Sequence, residues 1–186
     1  MSNIRRILRQ IPLLIIWLMA SGLIWGFVFT RITDTDPAHK IAVYIDAETP
    51  GAAELATRLD DLKRGGIRMV QVRPFTYAML DGSSLASADL FIIRASDMTA
   101  YRDWFAPCPD GFRPESGAWE DDGVRYGILV INPLADFQPL VEYVSLDPSE
   151  TYYLCFGKDS LHMVGNAGAV DNEAQYFADI LLSGSS

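Results

Sequence analysis

From Ile11 to Phe29 the chain reads IPLLIIWLMASGLIWGFVF, with no charged residue between Arg9 and Arg31. These nineteen residues, at about 1.5 Å of helical rise each, reach roughly 28 Å, close to the ~30 Å hydrocarbon thickness of a bilayer. A helix closes its own backbone hydrogen bonds and can sit in lipid. A helix packed on a soluble core would keep one polar face, and this run is apolar all round. It predicts a single transmembrane helix over 11–29, a short tail over 1–10, a polar stem over 30–39 and one folded domain over 40–186.

The flanks orient the helix. Arg5, Arg6 and Arg9 precede it without an acidic residue, whereas Asp34 and Asp36 follow Arg31. The positive-inside rule places the N-terminus in the cytoplasm and the domain on the far side of the cell membrane. The apolar run exceeds the h-region of a cleaved signal peptide, about 7–15 residues, and no small-x-small site follows it. An uncleaved signal-anchor is therefore expected. Gly22 and Gly26 stand four apart, the spacing that lets two membrane helices approach closely and form a homodimer. Glycine is also common in membrane helices for its own sake.

Charge narrows the partners. All 24 acidic residues and twelve of the 15 basic ones follow the run, so the remainder of the chain carries −12. Such a domain opposes docking on anionic lipid and excludes a nucleic-acid binder, which needs a basic face.

Beyond the stem the pattern alternates. Lys40–Asp46 reads as a buried strand. Thr49-Pro50 signals a helix start, with Leu55, Leu59 and Leu62 as its core stripe and Gly65-Gly66 as its end. Ile67–Phe75 reads as a second strand, less apolar and so nearer an edge. A short irregular or helical piece over 77–88 leads to a third strand over 89–94. Ser96-Asp97 then predicts a helix bearing Met98, Tyr101 and Phe105. Residues 107–123 contain three Pro, three Gly and five acids and predict a surface loop. Further strands are expected over 124–132, 151–157 and 160–164, with helices over 134–143 and after Asp171, the last lined by Ala174, Phe177, Ala178 and Leu181. The fold class is α/β: a three-layer domain on a mainly parallel, mixed sheet.

Catalytic motifs are missing: no G-x-S-x-G, phosphate-binding loop, dinucleotide fingerprint or H-E-x-x-H occurs. The only two histidines are His39, read as solvated in the stem, and His162, read as a structural imidazole on a strand. No enzyme activity, cofactor or metal is expected; the acidic runs lack calcium-loop spacing. Cys108 and Cys155 lie 47 positions apart. An extracytoplasmic domain permits a disulfide between them, and two unpaired thiols are the equal alternative.

In open α/β sheets, ligands bind beyond the carboxyl ends of the strands. The residues placed there are Asp46 and Glu48, Arg73, Phe75 and Tyr77, and Arg94, Ser96 and Asp97. Of these Asp46, Arg73, Tyr77, Arg94 and Ser96 form the candidate ligand set, with an Asp46–Arg94 salt bridge as the plainer reading.

The segments IAVYIDA, GIRMVQVRPF and ADLFIIRAS, with the helix between the first two, resemble the first lobe of bacterial extracytoplasmic solute-binding proteins. DGVRYGIL at 122–129 is similar to the stretch by which such chains return toward a hinge, and YYLCFGKD at 152–159 and the final helix are similar as well. The resemblance implies a solute-binding-like module working beside a transporter or envelope complex. The chain departs from that family in having one lobe's worth of residues on a membrane helix, so any clamp between lobes must come from a partner. The alternative is a structural or interaction protein without a pocket.

Overall fold

The computed structural model describes residues 12, 14–26, 28, 35–75, 87–131, 140, 142–145, 147 and 149–183. The chain divides into two compact units, Met1–Asp36 and Pro37–Ser186. In the first, residues 14–26 are helical. Nine large apolar side chains between Leu14 and Trp25 are each 50–74% exposed. Among the described residues no helix is long and apolar enough to cross a membrane; positions 11, 13, 27 and 29 of the expected span lie outside them.

The second unit is built on one mixed sheet. In chain order its elements are β1 (Lys40–Ile45), α1 (Ala52–Asp61), β2 (Met69–Pro74), β3 (Leu90–Arg94), β4 (Phe105–Ala106), β5 (Ala118–Asp121), β6 (Val124–Ile131), β7 (Tyr152–Gly157) and α2 (Glu173–Ser183). The strand order is β2-β1-β3-β7-β6-β5, with β4 also paired to β7. β2 and β3 flank β1 in parallel, and the remaining pairings are antiparallel.

The central strands bury both faces, which accounts for their unbroken apolar runs. Ile41, Val43, Ile45, Leu90, Ile92, Leu154 and Phe156 join one cluster with Leu55 and Leu59 of α1 and with Ala174, Phe177, Ala178 and Leu181 of α2. Ala42, Tyr44, Phe91, Ile93 and Cys155 join the other, with Phe75, Met98, Phe105 and Tyr126. Both described helices therefore serve one face. Residues 95–104 help cover the opposite face as turns and a short 3-10 segment, not as the expected helix. The apolar assignment there still holds: Met98 and Phe105 are buried, and Tyr101 packs edge-on against Phe75 with ring centroids 4.9 Å apart. Phe105 itself opens β4, where Lys158 N–H donates to the carbonyl of Trp104.

Other boundaries move for local reasons. α1 begins at Ala52, with Gly51 rather than Thr49 at its cap. Gly51 N–H is taken by the Tyr143 carbonyl, and a Cβ on Gly51 would lie 2.8 Å from Tyr143 Cα, so the chain must first pass this contact. Leu62 falls past the last helical turn and is exposed. Within the expected loop 107–123, Ala118–Asp121 pairs with β6 across Asp122-Gly123, both at positive φ (50° and 76°). Asp-Gly with this backbone suits a two-residue hairpin. Tyr126 is the residue β6 gains opposite the irregularity between Trp119 and Glu120. Residues 161–168 form turns, not a strand. Positions 76–86 and 132–139, where a helical piece and most of a further helix were expected, lie outside the described residues.

A buried polar hub sits at one end of the sheet. Asp89, 1% exposed, accepts from the Ala42 amide at Oδ2 (2.8 Å) and from the Ser160 hydroxyl at Oδ1 (2.6 Å). Its own N–H donates to the Ala42 carbonyl, and its carbonyl accepts from Gly157 N–H. One residue thus ties β1, β3 and β7 together. Burial raises its carboxyl pKa to about 6, against the opposing pull of the Ser160 and Ala42 hydrogen bonds.

The same junction sets a steric limit: a Cβ on Gly157 would lie 1.9 Å from the carbonyl oxygen of Ala88. Gly157→Ala is expected to cost about 3 kcal/mol or more, since overpacking against backbone cannot relax by a rotamer change. Gly66→Ala, with open space at the Cβ, should stay within about 0.5 kcal/mol. Urea denaturation of the two variants makes the comparison.

Candidate functional site

The order β2-β1-β3 puts the reversal of strand order between β1 and β3, where open α/β sheets place ligand crevices. A cleft of about 360 Å³ lies there, lined among others by Asp46, Glu48, Phe75, Arg94, Asp147 and Tyr152. Asp46 and Arg94 are the residues at the ends of the two strands. Tyr152 arrives because β7 runs antiparallel to β3, pairing Tyr152 with Arg94. The bridge between Glu48 and Ser145 brings Ser145 and Asp147 alongside.

Arg94 binds Asp46 in a bidentate pair: Nε donates to Oδ2 and Nη2 to Oδ1, both at 3.0 Å. Asp97 stands 3.7 Å from the same guanidinium. The Asp46 hydrogen bonds hold the Arg94 pKa above its usual value. Burial and the nearby Asp46 charge raise the Asp97 carboxyl, with Arg94 pulling the other way. Burial also raises the Tyr152 phenol, whose oxygen accepts from Asp147 N–H at 3.3 Å. The Asp147 carboxylate is pulled down by hydrogen bonds from the Ser149 hydroxyl and amide. A second cleft, of about 310 Å³, opens beside Trp104, Lys158 and Asp159; it lacks a comparable paired charge.

Of the five ligand-set residues, the structure brings Asp46 and Arg94 together. Arg73 is half-buried on β2 and does not line the cleft, and Ser96 is exposed and also does not. Tyr77 lies outside the described residues. Asp147 and Tyr152 were missed, because their arrival depends on a long-range antiparallel pairing with no local signature.

The cysteines are unbonded. Cys155 is fully buried in the cluster with Met98, and Cys108 packs against the other cluster. Burial pushes the Cys108 thiol up to about 11 and the Cys155 thiol well above its ordinary value, so both are unreactive near neutrality. Gly22 and Gly26 are exposed on the helical run, with open space at each Cβ position.

Outside the cleft, titratable side chains also gather around His162. Its ring is 0% exposed and sits in a turn, not on the expected strand. Nδ1 lies 2.8 Å from Asp171 Oδ1 and Nε2 3.0 Å from the Pro37 carbonyl. His39, expected to be solvated, is half-buried with its Nδ1 enclosed. Among the described residues no group of three His, Cys, Asp or Glu side chains could hold a metal ion.

A scan against protein-family models matches none of them, and a search of curated proteins finds no match.

Arg94→Gln would leave the Asp46 carboxylate, 9% exposed, without its ion partner. Breaking a buried pair costs 3–5 kcal/mol. Because Arg94 is 39% exposed, solvent screening reduces the expected loss to about 1–2 kcal/mol, measurable by urea denaturation at neutral pH.

Proposed function

We propose that this chain is a membrane-anchored, extracytoplasmic binding module of the solute-binding type, a non-catalytic accessory to a transporter or envelope complex. The observation that carries the proposal is the strand-end cleft. Its one cation, among the described lining residues, is already neutralised by Asp46, while Glu48 and Asp147 add negative charge. Phe75 and Tyr152, both buried, form the wall beneath them. That combination suits a small solute bearing an ammonium or guanidinium group, which gains from the exposed carboxylates.

The anchor rests on the nineteen-residue uncharged run and on the exposed apolar side chains between Leu14 and Trp25, a patch that water tolerates poorly. The positive flank places the domain outside. The non-catalytic reading rests on chemistry already committed elsewhere: Ser160 is fully buried and donates to Asp89, and both ring nitrogens of His162 face acceptors.

The test is a thermal-shift screen of the full-length protein in detergent against amines, guanidines, sugars and carboxylates. At one hundred times Kd a ligand stabilises by about 2.7 kcal/mol, a rise of roughly 5–10 °C. Cationic solutes should give such a rise, and Glu48→Gln with Asp147→Asn should abolish it. A rise with neutral or anionic solutes only would contradict the cationic class. No rise with any solute would favour the pocket-free interaction reading. Protease added to intact cells should digest the domain; protection would contradict the topology.

A further inference from the structure

We propose that Arg94 is a built-in plug of the strand-end cleft: its guanidinium occupies the Asp46 carboxylate that a ligand's guanidinium takes, and it moves to Asp97 when that ligand enters. The inference rests on the cationic reading of the cleft and narrows it to guanidinium-bearing solutes.

The seat has the right shape. Asp46 is the buried carboxylate of the cleft, and Glu48 and Asp147 are its exposed ones. Arg94 donates to Asp46 from Nε and from Nη2, at 3.0 Å each. Two parallel bonds of this kind are what a carboxylate offers any guanidinium, and an ammonium cannot reproduce the fork. The chain therefore fills its own guanidinium seat.

Neither strand end needs the pair to stay in place. Asp46 N–H donates to the Ile92 carbonyl at 2.8 Å. Arg94 lies opposite Tyr152 in the pairing of β3 with β7, and Ala95 N–H donates to the Thr151 carbonyl. The backbone fixes both residues, so their side chains can change partners without moving it. The Arg94 side chain is also half-exposed, so its head is not locked in the core.

A second acceptor stands ready. Asp97 N–H donates to the Arg94 carbonyl at 3.0 Å, and this turn sets Asp97 Oδ2 3.7 Å from Arg94 Nη2. The guanidinium can pass from one carboxylate to the other without entering water unpaired.

The charges favour a second cation. Asp46, Asp97, Glu48 and Asp147 gather around one guanidinium. The Asp97 carboxyl is raised by burial and by the charge on Asp46, so these two carboxylates oppose one another. A cation on each relieves that repulsion. A ligand guanidinium on Asp46 replaces both bonds that Arg94 gives up there, whereas an ammonium replaces one. Arg94 thereby sets the specificity of the site: it yields to a matching fork and not to a point charge.

The test titrates nitrogen-15-labelled full-length protein in detergent with methylguanidinium chloride. Methylammonium chloride and the neutral isostere methylurea are titrated in parallel at matched ionic strength. In the wild type, methylguanidinium should move the Arg94 Nε–H resonance, and methylammonium should not. A resonance unmoved at saturating methylguanidinium would overturn the plug, and equal movement with methylammonium would overturn the guanidinium assignment. Arg94→Gln frees Asp46 and should bind methylguanidinium about tenfold more tightly than wild type, the equivalent of about 1.4 kcal/mol. Adding Asp46→Asn should erase that gain. Should Arg94→Gln not fold, Arg94→Lys keeps the charge without the fork and should still bind more tightly than wild type. Wild-type binding with no gain in the variant that folds would overturn the plug and leave the cationic reading standing. No binding by wild type or variant would overturn both. A gain shared by methylurea would report a loosened cleft and would also overturn the plug.

Discussion

The domain depends on a carboxylate kept almost wholly out of water at the head of β3. Asp89 satisfies the Ala42 amide and the Ser160 hydroxyl while its own backbone bonds to β1 and β7. Burying a carboxyl is expensive unless its oxygens are hydrogen-bonded, and the rise in its pKa records that cost. The return is geometric. Leu90 must start opposite Phe156, and Val43 must pair with Leu90, if these bonds are to form. Slipping any of the three strands by one residue would break the hub and turn the apolar side chains to the wrong face.

The fixed register positions the opposite end of the sheet. Ile92 pairs with Leu154, so Arg94 meets Tyr152 at the mouth of the cleft. Asp46 follows β1 directly, and its N–H donates to the Ile92 carbonyl at 2.8 Å. Hub and cleft are thus the two ends of the same three strands, one enclosing its charges and the other presenting them to solvent.

Much of this was legible wherever a residue's role follows from its own neighbourhood. The apolar runs of β1 and β3, the edge position of β2 and the Ala174-Phe177-Ala178-Leu181 stripe of α2 are such cases. So were Asp46 and Arg94, because strand ends locate ligands in open sheets. What stayed hidden depended on distant pairing. Met98, Tyr101 and Phe105 keep a spacing compatible with a helix, yet Phe105 is drawn into β4 by its pairing with Gly157. β5 was obscured by Glu120 and Asp121, although Asp122-Gly123 was a hairpin signal. Ser96 seemed well placed only because a helix was expected to start there. His162 was read as structural, and its partners Pro37 and Asp171 are 125 and 9 positions away, the first beyond any local pattern.

The most direct measurement is the stability of Asp89→Ala against wild type at pH 7, by urea denaturation of the full-length protein in detergent. The variant leaves the Ala42 amide and the Ser160 hydroxyl without their acceptor, at about 1–3 kcal/mol for each buried group, partly offset by relief of the buried carboxyl. A loss of about 2–4 kcal/mol is predicted. A variant within about 0.5 kcal/mol of wild type would show that the three strands keep their register without the hub, and would contradict the account.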